Sequence, residues 1–250
     1  MNQIEASQKT ANSQATFRKD NWWLEPAAVA LGFTLFIIYG TWRAFENRFF
    51  EIGPYLSPFY SPYFAPHWWK LSPALLILWI PGGFRATCYY YRKAYYRAYF
   101  LDPPACAVGH HGGNKYCGET TFPLILQNIH RYFFYLATVV LAVLWYDAIK
   151  AFIFDGKFGV SLVSLVMLVN VCLLSGYSFG CHACRHLAGG HLDCFSKDSC
   201  TKAQFKLWNV VTKLNEHHMF WAWVSLFSVA FTDFYIRQVA SGAFPEVRLF

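Results

Sequence analysis

From Val160 to Gly180 the chain reads VSLVSLVMLVNVCLLSGYSFG, a run without a single charged side chain. About 20 apolar residues in a helix cross the roughly 30 Å hydrocarbon core of a bilayer. Backbone placed in hydrocarbon must satisfy its own hydrogen bonds, which a helix does. Comparable runs lie at about 26–45, 71–90, 124–152 and 217–237, besides 160–180. These runs predict an all-α integral membrane protein with five transmembrane helices in a bundle. The composition, 56% hydrophobic and only 14% charged with mean hydropathy +0.25, excludes an ordinary soluble domain.

Residues 1–21 are polar, lack the apolar core of a signal peptide, and are expected to form a flexible cytoplasmic tail. The anchor domain covers 22–250 and begins with Trp22 and Trp23 as interfacial anchors. Pro26 suits a first helical turn, where its missing N–H would have no partner anyway. Pro54, Pro58, Pro62 and Pro66 forbid a regular helix over Phe49–Lys70, which predicts an ordered aromatic loop at the membrane surface. Pro81-Gly82-Gly83 should kink the second span, and Tyr89–Phe100, with three cations among its tyrosines, reads as its amphipathic interfacial extension. Asp155-Gly156-Lys157 is a short turn between the third and fourth spans, and a polar helix-like segment runs to about Leu214 before the fifth. No strand pattern and no repeat of useful length stands out.

The net charge of +7 is not a nucleic-acid signal, because the lysines and arginines cluster between the apolar runs. The amino tail and the second and fourth connections carry most of them, which places those segments in the cytoplasm. The N-terminus is then inside and the C-terminus outside, in a multi-pass protein of the cell's inner (plasma) membrane with its Cys/His loops facing the cytoplasm.

That orientation gives depth to the reactive groups. Five cysteines and three histidines fall between Cys172 and Cys200, with GCHACRHLAG at Gly180–Gly189. On a continuing helix Cys181 and Cys184 share one face, and His182 and His186 the next. Four helix ends bring Cys88, His130, Cys181 with Cys184, and His217 with His218 to one cytoplasmic level. A cytoplasmic address disfavours structural disulfides, and soft thiolates beside imidazoles suit zinc or an iron–sulfur cluster. Cys184-Arg185-His186 has the spacing of one half of a Rieske-type motif, in which two cysteines hold one iron and two histidines the other; the second half, Cys-x-x-His, is absent. His130 with His217 or His218 could instead clamp a b-type haem. The blandest alternative is a set of buried thiols, or a non-redox membrane scaffold with a zinc site.

Arg85 shares a helical face with Cys88 and Arg92. An arginine at a membrane boundary usually snorkels to headgroups, but ionisable groups within spans are candidates for function. Arg85 could hold a quinone carbonyl and stabilise the reduced oxygen, while the tyrosines after Cys88 read first as an aromatic belt and second as a docking face for a soluble subunit. Asp147 and Asp233, near the other ends of the third and fifth spans, read as solvated or paired.

Several segments resemble a known family: YLSPFYSPYF (Tyr55–Phe64), LSPALLILWIPGGFRATCYYYRKAYYRAYF (Leu71–Phe100), PPACAV (Pro103–Val108), FPLILQNIHRYFFYL (Phe122–Leu136), LLSGYSFGCHACRHL (Leu173–Leu187) and the closing VRLF. Together they are similar to the membrane-anchor subunit of succinate dehydrogenase, of the actinobacterial-like type with one five-helix anchor. The resemblance implies partners, namely a flavoprotein subunit and an iron–sulfur subunit on the cytoplasmic side, with a higher oligomer of the complex left open. It implies electron transfer from succinate to a quinone, menaquinone or ubiquinone, with Arg85, Tyr89 and the His217/His218 pair as quinone-side groups and the succinate-oxidising site outside this chain. It also implies a Rieske-like [2Fe–2S] centre in place of the haem of other anchors. The implied ligands come from Cys181, Cys184 and Cys88 and from His130, His186, His217 and His218, a list longer than the two of each that such a cluster needs. Cys106, Cys117, Cys194, Cys200 and the His110-His111 loop receive no role.

Overall fold

The computed structural model describes residues 18–109, 120–122 and 124–250. Most of the expected N-terminal tail, His110, His111 and Cys117 lie outside the described residues. The helices in order are α1 (Leu24–Glu46), α2 (Ala74–Ala86), α3 (Tyr89–Ala94), α4 (His130–Lys150), α5 (Leu162–Phe179), α6 (His182–Arg185), α7 (Ser199–Glu216) and α8 (His218–Ala240). Single π-helical turns, Tyr95–Tyr99 and His186–Gly190, extend α3 and α6, and a 3₁₀ segment, Leu124–Ile129, leads into α4.

Among the described residues four helical segments are long and apolar enough to cross a bilayer: Leu24–Glu46, Leu124–Lys150, Leu162–Phe179 and His218–Ala240. The expected second span, 71–90, is shorter than the pattern suggested. Its helix α2 has 13 residues, about 20 Å at 1.5 Å per residue. Pro81 sits inside it, yet the break comes later, at Cys88, whose extended backbone (φ −69°, ψ 134°) precedes α3.

The chain divides into two compact units, Met1–Ile38 with Arg85–Ile129, and Tyr39–Phe84 with His130–Phe250. In the first, Phe33 meets Tyr91 edge-on with ring centres 4.9 Å apart, and the Tyr99 hydroxyl donates to the Ala30 carbonyl at 3.0 Å. The second is built on α4, α5 and α8. Val163, Met167 and Val171 of α5 face Leu141 and Ala148 of α4 and Ile236 and Val239 of α8, the spacing of a buried helical stripe. Lipid is as apolar as these side chains, so polar links add to the packing. The Trp145 indole donates to Ser175 Oγ at 3.0 Å, and the Ser228 hydroxyl to Asn170 Oδ1 at 3.0 Å.

The proline-rich loop is ordered, as expected; its middle part packs inside, while Tyr63, Phe64 and Trp68 are exposed. Tyr55, Ser57, Phe59, Tyr60 and Ser61 are all buried. It opens with a small antiparallel hairpin, Glu51–Ile52 with Tyr55–Leu56; a second pairs Ile153–Phe154 with Lys157–Phe158. These strands were not expected. The Asp155-Gly156 turn between the latter has both residues at positive φ (49° and 79°), which is the reason Asp-Gly favours tight hairpins.

Asp147 and Asp233 are paired. The Ser61 hydroxyl donates to Asp147. Asp233 is fully buried, accepts from Tyr39 OH at 2.7 Å and from Ser57, and receives both Arg237 Nε contacts, at 3.0 and 2.9 Å. Arg237 also reaches Glu46 Oε2 at 3.2 Å and the carbonyls of Arg43 and Arg48. The ion pair therefore ties the last turns of α8 to the end of α1 and to the aromatic loop.

Candidate functional site

The sequence-level picture has Cys181 and Cys184 on one continuing helix. The helix instead ends at Phe179, and Cys181, with extended backbone (φ −68°, ψ 146°), begins the separate turn α6. Cys181 is buried at this break, and its Sγ lies 2.9 Å from His130 Nε2 at the start of α4.

Gly180 makes the approach possible. A β-carbon there would stand 2.7 Å from the Gly176 carbonyl oxygen, 3.1 Å from that of Leu214 and 3.3 Å from His218 Nδ1. The Gly180 carbonyl in turn accepts from Asn215 Nδ2 at 2.7 Å. His218, 1% exposed, thus packs against the residue preceding Cys181. Aromatic rings join the two imidazoles: Phe84 stacks on His130 (4.9 Å, 5°), Phe84 meets Tyr177 (5.3 Å), and Tyr177 stacks on His218 (5.0 Å, 20°).

The remaining candidates are placed as follows. Cys184 is half-buried in α6, where burial pushes its thiol up. His186 Nδ1 lies 3.3 Å from Arg131 Nη2, and the exposed His217 has its Nδ1 3.3 Å from the Lys213 carbonyl. Cys88 is buried at the start of α3. Arg85 Nη1 donates to Tyr91 OH at 2.5 Å, and Tyr89 is 60% exposed with the Arg92 guanidinium over its ring at 4.2 Å. His130, Cys181 and His218 are therefore brought to one place. Among the described residues no three His, Cys, Asp or Glu side chains converge as a ready cation site.

Sequence reasoning missed Phe84, Tyr177, Gly180 and Tyr91. A signal was present, since FRATCYYYR (Phe84–Arg92) and YSFGCHACR (Tyr177–Arg185) both read aromatic-x₃-Cys-x₃-Arg. The backbone repeats with them. In both, a helix stops, the cysteine is extended, a short helix follows, and a π-helical turn closes the motif. Arg92 N donates to the Cys88 carbonyl at 2.9 Å, and Arg185 N to the Cys181 carbonyl at 3.0 Å.

Comparison with known proteins follows from this arrangement. A family model described as actinobacterial succinate dehydrogenase subunit SdhC matches residues 24–242. The chain belongs to the actinobacterial SdhC family. The match takes in all eight helices of the described residues, both the Cys88 and Cys181 breaks, and the packing of α5 against α4 and α8. Among solved structures, a chain of the Mycobacterium smegmatis Sdh1 complex in the apo form is similar to this SdhC-family chain. Identity is 44% and the TM-score 0.85, over 95% of this chain and 94% of that one. No curated protein matches.

Proposed function

We propose that the chain is the anchor of a succinate:quinone oxidoreductase in the plasma membrane, crossing it five times with its N-terminus in the cytoplasm. It holds the flavoprotein and iron–sulfur subunits on the cytoplasmic side, binds quinone, and delivers to it electrons from the soluble iron–sulfur subunit. Membership of the SdhC family supports the anchor role. The likeness to a chain of an Sdh1 complex supports assembly with other subunits. The second crossing is the short helix α2, with α3 continuing its run.

One observation carries the redox part of this reading: His130 Nε2 lies 2.9 Å from Cys181 Sγ at a buried helix break, with His218 against the adjoining Gly180. A buried thiol flanked by imidazoles suits the mixed Cys/His donor set of a Rieske-like [2Fe–2S] cluster. His130 and His218 would be the imidazole ligands and Cys181 one thiolate. The sequence candidates for the other are Cys88 and Cys184. When bound, such a cluster supplies one-electron transfer. The chain's own residues hold the donors in place: Phe84 and Tyr177 stack on the imidazoles and exclude water, and Gly180 leaves room for His218. Those same rings fill the path between His130 and His218, which favours the cluster over a dihistidine haem. His186 and His217, engaged with Arg131 and the Lys213 carbonyl, are bystanders. Arg85, oriented by Tyr91, donates to a quinone carbonyl oxygen and stabilises charge as the quinone is reduced, with Tyr89 lining that site.

Low-temperature EPR of the purified, dithionite-reduced complex, with iron and haem assayed on the same sample, tests this. A [2Fe–2S] signal of low average g, lost together with two irons per complex in both Cys181→Ser and His130→Ala, is expected. Haem bands, or iron and spectrum unchanged in both variants, would overturn the cluster assignment.

A further inference from the structure

Most of helix α7 lies beyond the site described above, which it touches only through its last turn. Its last turn meets the ends of two spans. Asn215 donates to Gly180 at the end of α5, and one residue, His217, joins α7 to α8. On the reading that α5 and α8 cross the bilayer, α7 sits at the membrane boundary.

Around the helix, at 100° per residue, its side chains sort into three sectors. One, with the buried Val211 and the half-buried Trp208, packs on the protein; the Arg185 guanidinium lies 4.6 Å from the Trp208 ring centre. The second carries Lys202, Lys206 and Lys213, all exposed. The third, adjoining the lysines, carries exposed Ala203, Leu207 (54% exposed) and Val210 (57%). Glu216 is the one carboxylate within the helix. A cationic stripe beside an exposed apolar stripe is what a helix lying in a bilayer interface presents. Lysine is depleted from protein–protein interfaces, so the chemistry favours lipid over a soluble subunit as the covering.

We infer that α7 is an interfacial helix that seats Leu207 and Val210 among acyl chains and binds anionic phospholipid headgroups through Lys202, Lys206 and Lys213. Each basic residue near an anionic surface raises affinity about fivefold. Loss of all three should therefore weaken anionic-lipid binding on the order of 100-fold.

The test uses the whole complex in nanodiscs of phosphatidylcholine with or without phosphatidylglycerol, with bimane attached to Leu207→Cys and brominated lipid as quencher. Bimane on Val169→Cys, an exposed position within α5, reports the spanning reading separately. Strong quenching at both positions is expected. Titration of the detergent-solubilised complex with phosphatidylglycerol, followed by native mass spectrometry, should show tighter binding than phosphatidylcholine. That preference should be lost in the Lys202→Gln/Lys206→Gln/Lys213→Gln variant, with succinate-to-dye activity retained as evidence of an intact complex. Quenching at 169 without quenching at 207 would overturn the inference and leave the spans standing; no quenching at 169 would count against the membrane reading itself. A label at 207 shielded only when the soluble subunits are present would overturn it in favour of a protein interface, as would an unchanged lipid preference in the triple variant.

Discussion

Replacing Arg237 with methionine should strongly weaken this anchor. The guanidinium is 2% exposed and makes contacts with Asp233, Glu46 and the carbonyls of Arg43 and Arg48. Methionine fills much of its volume but removes every donor, leaving Asp233 buried with only Tyr39 and Ser57 hydroxyls to neutralise it. Removing one partner of a buried pair costs about 3–5 kcal/mol. Glu46 remains 23% exposed and keeps Arg43 as partner, so the lower figure, about 3 kcal/mol, applies. The double variant Arg237→Met/Asp233→Asn has no stranded charge, and its loss should fall to about 1 kcal/mol, so the second substitution recovers about 2 kcal/mol. Equilibrium unfolding of the complex in mild detergent, followed by tryptophan fluorescence, measures these two variants and the single Asp233→Asn. If Arg237→Met lies within about 0.5 kcal/mol of the parent, or if the two substitutions simply add, the claim that this network holds α8 to α1 is wrong.

Further expectations can be checked alongside it. Arg85→Gln should lower quinone reduction about 10- to 100-fold, the worth of a charge-assisted hydrogen bond, while succinate-to-dye activity is kept; loss of both activities would remove the quinone role. Gly180→Ala should destabilise by about 1–3 kcal/mol through overpacking and disturb the His218 ring, seen as a shifted EPR line or lost iron, whereas normal iron and stability would mean the break has slack. Cys194, whose thiol is held below the usual range by the Ser196 hydroxyl at 3.3 Å, should react with iodoacetamide at pH 7 ahead of exposed Cys106 and Cys200, with the gap closing at high pH. Glu246 is pushed up by partial burial, but hydrogen bonds from Arg248 and Tyr55 outweigh this and hold its carboxyl low. Its contribution is therefore present above the ordinary carboxylate range and lost as acid protonates it. Hydrogen exchange at Leu249, whose N–H bonds to Val160 at 2.8 Å, should accelerate at low pH in the parent and already be fast in Glu246→Gln.

Much of the architecture was legible from residues 22–250. The runs at 26–45, 124–152, 160–180 and 217–237 emerge as helices whose ends differ by a few residues, because a span's length is set by bilayer thickness and its composition by the solvent. The run at 71–90 misled, since apolar content does not report that Cys88 leaves the helical region. His130, Cys181 and His218 were among the candidates by depth alone, and the structure joins them, while His186 and His217 shared the same depth and face other partners.

By itself, then, the sequence determined that this chain is helical and of a membrane protein's composition, and it singled out the thiols and imidazoles near the ends of the apolar runs, since these follow from hydropathy and position along each run. Only the tertiary structure decided which of them touch. That depends on the helix break at Cys181 and on a glycine that lets His218 approach, just as the inward fold of the aromatic loop depends on the buried Asp233–Arg237 pair. Contacts of this kind join residues as far apart as Glu46 and Arg237, and local pattern carries no information about them.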